Sequence, residues 1–421
     1  MFYSQNFAPN ESGRSLSVLP KAMLSMLFRK SESSHIESII LKSLILPNNP
    51  SIPHLSCTTF FSGRSALYHT LKSLNLTKGS EVIVQAFTCT AVVLPILKLG
   101  LKPVYIDINH SDLSADISSL TSRITPHTKA IILQRSFGIT PQNRAQIIQI
   151  CKEKELFLIE DAAHGINPKD FEVPKTLKDY ALLLSFGRSK QLSSVFGAAI
   201  VTPNAALSEK LQKAQKKLKN VSFSLESRCL LYKGLTPGIK WLLNTNPVFG
   251  KVTHKLVEVV GLFPKEISSL EKDGYFESNF DAKYPNSLGF ILEKELEYLD
   301  TDLDQVAQNH KIYEDFLGKF KNKQIAFGMQ NDAILRLPMV LISKELRQRV
   351  RKKLALSNIH IGDWYVTPIA PKEVNLEAMG YKLGSCPKAE DICNKIINIP
   401  LNTNDSQTTK IANELSIVLE R

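Results

Sequence analysis

The chain has 421 residues, 43% hydrophobic and 22% charged, an ordinary globular composition that excludes a disordered or fibrous protein. No apolar run reaches the ~18–20 residues needed to span a bilayer. The six cysteines form no CxxC pair and no Cys/His cluster of zinc spacing, and scattered single thiols suit a reducing compartment. The net charge of +12 favours anionic partners such as a phosphorylated substrate, or serves solubility alone. No nucleic-acid motif accompanies it.

In chain order, the first segment, 1–55, begins MFYSQNFAPNES, without the basic start and apolar core of a signal peptide, so a cytoplasmic protein is expected. Val18–Lys30 reads as an amphipathic helix that packs on the main domain or a dimer partner, or touches a membrane surface. Asn48–Pro53 reads as a linker. Thr58–Ser62 is a short strand running into a helix with apolar residues at Ala66, Leu67, Leu71 and Leu74. The turn at Gly63 is either an anion site, built from the free amides and dipole of a helix start, or an ordinary capped helix. Strands follow at Glu81–Gln85, Pro103–Asp107 and Ala130–Gln134, with a helix at Asn143–Lys154. Strands and helices alternating at this spacing imply a parallel, doubly wound sheet.

The stretch from Phe157 to Gly197 organises the rest. Phe157–Ile159 and Leu182–Leu184 read as buried parallel strands. Their C-terminal ends deliver Glu160, Asp161 and His164, then Ser185, Arg188 and Lys190, to the edge where open α/β sheets bind ligands. Singly, such residues are usually a helix N-cap or a solvated charge. Together they suit pyridoxal phosphate (PLP). A lysine amine forms a Schiff base with its aldehyde, a carboxylate keeps its pyridine nitrogen protonated, and a hydroxyl near a turn holds its phosphate.

Here the chain resembles the sugar aminotransferases of the DegT/StrS type, within the fold-type-I PLP enzymes. The matching segments are Ser62–Leu67, Glu81–Ala91, Leu101–Asn109, Ile124–Leu133, Leu158–Gly165 (LIEDAAHG), Ser185–Lys190 (SFGRSK) and Cys386–Leu401. The resemblance implies an α/β fold: a large domain with a mostly parallel sheet and a smaller α+β C-terminal domain. It implies that Lys190 is the Schiff-base lysine and that Asp161 pairs with the pyridine nitrogen. His164 would sit by the ring's phenolic oxygen, Ser185 would contact the phosphate, and Gly63, Arg64 and Ser65 would occupy the phosphate turn. Arg64 stands where the family usually has Thr. Cys89 stands where it has an aromatic that stacks on the ring; Cys89 packs there through its sulfur, Phe87 substitutes, or Cys89 is a small core residue. Arg188 either contacts a phosphate or substrate carboxylate, or is a surface or interface arginine.

The expected domains are an N-terminal extension (1–55), a PLP-binding large domain (56–220), a basic apolar insertion (221–281) and a small C-terminal domain (282–421). The insertion is expected to form a lid, a protein interface or a peripheral membrane patch. Asn286 is the nearest candidate for the asparagine that the family donates to the neighbouring subunit's phosphate. The resemblance implies a PLP-dependent aminotransferase, a homodimer, that moves an amino group, from glutamate, to a nucleotide-linked keto sugar in polysaccharide or glycan biosynthesis. Two alternatives stand beside it. One is a PLP-dependent sugar dehydratase, whose family members carry His in place of the lysine. The other is a catalytically idle binding or regulatory subunit of the same fold. No metal site is expected.

Overall fold

The computed structural model describes residues 13–28, 33–52, 54–320, 324–326, 335–357, 359, 361–362 and 364–420. Its centre is a seven-stranded sheet. In spatial order the strands are Ser56–Phe60, Ala198–Thr202, Tyr180–Ser185, Phe157–Ala162, Thr128–Gln134, Glu81–Gln85 and Lys102–Ile106. The last five run parallel, while Ala198–Thr202 lies antiparallel to both its neighbours. The Phe157–Ala162 and Ala198–Thr202 strands are buried throughout, which is why their sequences do not alternate apolar with polar.

Helices cover both faces. One face carries Ile147 and Cys151 of the Arg144–Glu153 helix, Leu44 and Ile45 near the N-terminus, and Leu288, Ile291 and Leu292. The other carries Ala66, Leu67 and Leu71 of the Gly63–Ser73 helix and Val92, Val93 and Ile96 of the Thr90–Lys98 helix. A third core, from Tyr313 to Leu419, belongs to a smaller unit. Its antiparallel sheet has the order Ile396–Pro400, Arg336–Leu341, Gln324–Ala326. The Asn286–Leu296 helix packs into the first core of the large sheet, so the small core begins later than 282. The Arg336–Leu341 strand is buried throughout.

Several contacts tie the small unit to the large one. The short strand Ile369–Ala370 pairs in parallel with Thr88–Cys89. Asp107 accepts the Lys388 and Ala389 amides (2.9 and 2.8 Å) at the start of the Pro387–Lys395 helix, where a carboxylate also meets the positive end of the helix dipole. The expected helix over Val18–Lys30 is found as Leu19–Phe28, with Lys30 outside the described residues. The 221–281 segment folds as two helices, Phe223–Thr245 and Pro247–Val259, followed by a connection that carries the short helix Ser269–Lys272. All six cysteines are free.

Candidate active site

The C-terminal edge of the sheet opens into a cavity of about 520 Å³. Gly63, Arg64, Cys89, Asp161, His164, Ser185 and Lys190 all line it. The sheet explains the convergence: parallel strands end at one edge, so residues just beyond Phe157–Ala162 and Tyr180–Ser185 meet although they are far apart in sequence.

Asp161 is buried, and its Oδ1 accepts the Ala163 amide (2.9 Å). Burial pushes its carboxyl up from the ordinary value, against the opposing pull of that amide and of Lys190. Among the described residues no cation lies within ion-pair distance of it. Lys190 shows the converse. Burial holds its amine below the ordinary lysine value, while Cys89, Asp161 and Glu266 pull the other way. Its Nζ stands 4.8 Å from the centre of the Trp364 ring.

His164 is fixed from two sides. Its Nδ1 accepts the Phe137 amide (2.8 Å), which puts the proton of the neutral ring on Nε2, 3.0 Å from Tyr365 Oη. Burial, with Lys190 and Arg336 nearby, holds its pKa well below the ordinary value, so the ring stays neutral. Trp364 stacks on it, ring centres 5.0 Å apart.

At the start of the Gly63–Ser73 helix, Ser62 Oγ accepts the Ser65 amide (3.2 Å). This leaves the amides of Gly63 and Arg64 without a partner among the described residues, as expected at a helix start. Ser185 Oγ closes the other side: a Cβ built on Gly63 would lie 3.9 Å from it. Gly197, also in the wall, is held at φ +143, and a Cβ there would lie 2.6 Å from the Tyr284 ring. Only glycine fits.

Two expected contacts are corrected. Ser65 does not line the cavity; its amide is taken by Ser62 and its hydroxyl donates to Asp281 (2.6 Å). The Arg64 guanidinium turns away to the buried Glu271 carboxylate and the Glu266 carbonyl, over the Phe280 ring, so only its backbone is offered to the cavity. Cys89 lines the cavity, whereas Phe87 packs behind it, edge-on to Tyr365. Arg188 is half-buried, 3.5 Å from Glu266 and over the Tyr232 ring. Asn286 opens its helix outside the cavity wall.

The sequence alone did not single out Glu266, Lys272, Arg336, Trp364, Tyr365 or Lys372. Arg336 is buried with its guanidinium 4.3 Å from the centre of the Trp364 ring. Lys272 and Lys372 line the cavity mouth, Lys272 paired with Glu373 (3.1 Å). The one available signal was the aromatic pair Trp364–Tyr365 shortly before Pro368.

The wall fits PLP. Open amides opposite a hydroxyl make a phosphate cradle, a buried carboxylate has no ion-pair cation among the described residues, and a desolvated amine is held towards its neutral form.

Comparison with known proteins agrees with that fit. The family model described as the DegT/DnrJ/EryC1/StrS aminotransferase family matches residues 52–241 and 267–416. The chain is 31% identical over 151 residues to a GDP-perosamine synthase of Escherichia coli O157:H7, covering 36% of this chain and 41% of that protein. It is 30% identical over 210 residues to an Escherichia coli dTDP-4-amino-4,6-dideoxy-D-glucose transaminase, covering 49% and 53%. The matched stretches thus span about two fifths to one half of these relatives. The structure of NtdA from Bacillus subtilis with bound cofactor PMP superposes with a TM-score of 0.70 at 18% identity, over 97% of this chain and 82% of that one. At that identity the likeness is one of fold.

Proposed function

Because the chain belongs to the DegT/DnrJ/EryC1/StrS aminotransferase family, we propose that it is a PLP-dependent aminotransferase acting on a nucleotide-linked keto sugar. The observation that carries this is the placing of a half-buried amine, Lys190, and a buried carboxylate, Asp161, in one cavity with an open helix start. PLP, when bound, supplies an aldehyde that carries the amino group and a ring that takes up the electron pair released at the donor's Cα. Lys190 is the residue that would hold it covalently. Asp161 would hold the ring's N–H, and that cation would restore the carboxylate against the cost of its burial. The Gly63 and Arg64 amides and Ser185 Oγ would hold the phosphate. His164, neutral and fixed by Phe137 and Tyr365, offers an uncharged contact on the ring's polar edge.

Once free, Lys190 Nζ would be the base that takes the proton from the donor Cα and returns it elsewhere, because burial shifts the amine towards its neutral form. The retained lysine supports transamination over sugar dehydration, and the intact set of Asp161, His164, Ser185 and Lys190 supports an active enzyme over an idle subunit. The relatives' nucleotide-sugar names and the lysines at the cavity mouth support a diphosphate-bearing acceptor. Glutamate as donor, a role in polysaccharide or glycan biosynthesis, a homodimer and a cytoplasmic location belong to the same reading.

The test is direct. Purified protein with PLP, glutamate and a panel of nucleotide-linked keto sugars is assayed for 2-oxoglutarate. Release that needs both the keto sugar and Lys190 supports the reading; a protein inert with every donor and acceptor, although loaded with PLP, overturns it.

A further inference from the structure

The two helices of the 221–281 segment form a hairpin. They turn at Asn246 and approach so closely that a Cβ on Gly250 would lie 2.6 Å from the Leu243 nitrogen. The inner side is ordinary core: Val257 and Phe263 are buried, and Phe263 packs on Tyr232. The outer side is not. Val248, Phe249, Val252, Leu256, Val259 and Val260 are 56–74% exposed. On a helix that spacing puts them on one face. Trp241 of the first helix, 64% exposed, adds to the apolar surface of the hairpin. Scattered exposed apolar residues are normal on a soluble protein, but a stripe that fills one helix face marks a contact. The Pro247–Val259 helix lies within 242–266, the part between the two stretches that match the family model.

A third element extends the layer. The Leu19–Phe28 helix runs antiparallel along Phe223–Thr245, with Leu19 Cδ1 3.5 Å from the Cβ position of Gly234 and Met26 Sδ 3.5 Å from Ser227 Oγ. It leaves Met23, Leu24, Leu27 and Phe28 exposed.

Charge selects the occupant. Lys251 and Lys255 are exposed on the same helix, beside the stripe. Of the two acids within these helices, Glu226 is buried against Ser287, and Glu258 stands 3.8 Å from His254. A second copy of the chain would bring the same lysines against these, and protein interfaces are depleted in lysine. An anionic bilayer meets both features. The apolar face enters roughly 5–10 Å into the headgroup boundary while lysines reach the head groups and a tryptophan sits at the interface. No helix among the described residues is long and apolar enough to cross a membrane, which leaves the mode in which helices lie on the surface.

We propose that the outer face of this hairpin, with Trp241, Val248, Phe249, Val252, Leu256 and Val259 as the inserted residues and Lys251 and Lys255 as the headgroup contacts, docks the protein on an anionic lipid surface. Tyr232, on the inner side of Phe223–Thr245, lies under the guanidinium of Arg188 (5.1 Å), which pairs with the cavity residue Glu266. The docking itself does not depend on the reaction, and it is read without substrate.

Full-length protein is sedimented with vesicles of phosphatidylcholine alone and of phosphatidylcholine with phosphatidylglycerol. Wild type binds the anionic vesicles at least about tenfold more tightly than the neutral ones. The double variant Val252→Glu/Leu256→Glu loses about tenfold or more of that affinity with its thermal midpoint unchanged, because both side chains are exposed. Lys251→Glu/Lys255→Glu binds weakly and loses the dependence on phosphatidylglycerol. Independently of those variants, Trp241 fluorescence shifts to the blue with anionic vesicles, and the shift is absent in Trp241→Phe. Equal binding to both vesicle types overturns the proposal. So does no binding, whether the protein is a monomer or a dimer that Leu256→Glu dissociates; in the latter case the face is a contact between two copies.

Discussion

Tyr365 Oη lies 3.0 Å from His164 Nε2, while the Phe137 amide occupies Nδ1, so a residue near the end of the chain fixes the tautomer of a histidine at the end of a central strand. Burial pushes the Tyr365 hydroxyl far above the ordinary tyrosine value, so it stays protonated. Tyr365→Phe leaves the buried Nε2–H without this partner, at a cost of about 1–3 kcal/mol. The expected outcome is a lower thermal midpoint and a turnover reduced by about tenfold, with PLP still bound. Calorimetry and steady-state kinetics on the same preparation check it.

Asp161 acts on the cofactor side. Asp161→Asn removes the charge that would keep the pyridine nitrogen protonated, and turnover falls on the order of 10²-fold or more. The amide fills the same space, so the fold is retained. Kinetics beside a thermal melt separate the two effects.

Lys190 sets a pH dependence. Its folded pKa lies below the ordinary 10.5, so the unfolded chain binds the proton more readily. The cofactor-free protein therefore gains stability as pH rises from the folded value towards 10.5. For the same reason the rate of PLP uptake by the cofactor-free protein rises with pH and levels off below 10.5. Stopped-flow mixing across the alkaline range measures it.

The acid side belongs to Glu160 and Asp116. Glu160 is fully buried, and the Arg144 and Arg135 guanidiniums, with Tyr180 (2.9 Å), outweigh its burial and hold its pKa below 4.5. Lys388, Ser118 and the Ser119 amide outweigh burial at Asp116 and hold it at about 2, from an ordinary 3.8. Both groups stabilise the fold above their unfolded values and lose that contribution as pH falls through their folded ones. Acid unfolding therefore steepens between about pH 4.5 and about 2. Glu160→Gln leaves the buried Arg135 and the half-buried Arg144 short of their counter-charge and costs about 3–5 kcal/mol. A urea titration at pH 7 reads that cost.

Arg64 separates a structural role from a binding one. Arg64→Ala strands the Glu271 carboxylate, which is wholly buried, again at about 3–5 kcal/mol. PLP uptake persists, because the backbone, not the guanidinium, is offered to the cavity. Loss of PLP uptake in a protein that still folds would contradict this division.

The strands were legible because central parallel strands are buried on both faces. Phe157–Ile159 and Leu182–Leu184 stand out as continuous apolar runs, and the polar residues just after them mark the ligand edge. Asp161, His164, Ser185 and Lys190 were found that way. Arg64 and Ser65 were assigned by position, and their side chains turned out to answer to Glu271 and Asp281, some two hundred residues on. Nothing local announces such a partner. Trp364 and Tyr365 reach the cavity, with Arg336 packed against Trp364, only because the small unit docks on the large sheet, through contacts such as the Ile369–Ala370 pairing and the Asp107 contact with the Pro387–Lys395 helix. That placement depends on long-range packing that no window of sequence contains. The 221–281 segment showed its basic, apolar character in sequence, but which residues face outward required the hairpin.

The most direct test is the absorbance of the purified protein with PLP, before and after glutamate, beside Lys190→Ala. The account predicts a visible band of lysine-bound cofactor in the wild type that falls when glutamate is added, and no such band in Lys190→Ala. An identical band in Lys190→Ala, with full transamination retained, would contradict the central claim that Lys190 holds the cofactor and moves the proton.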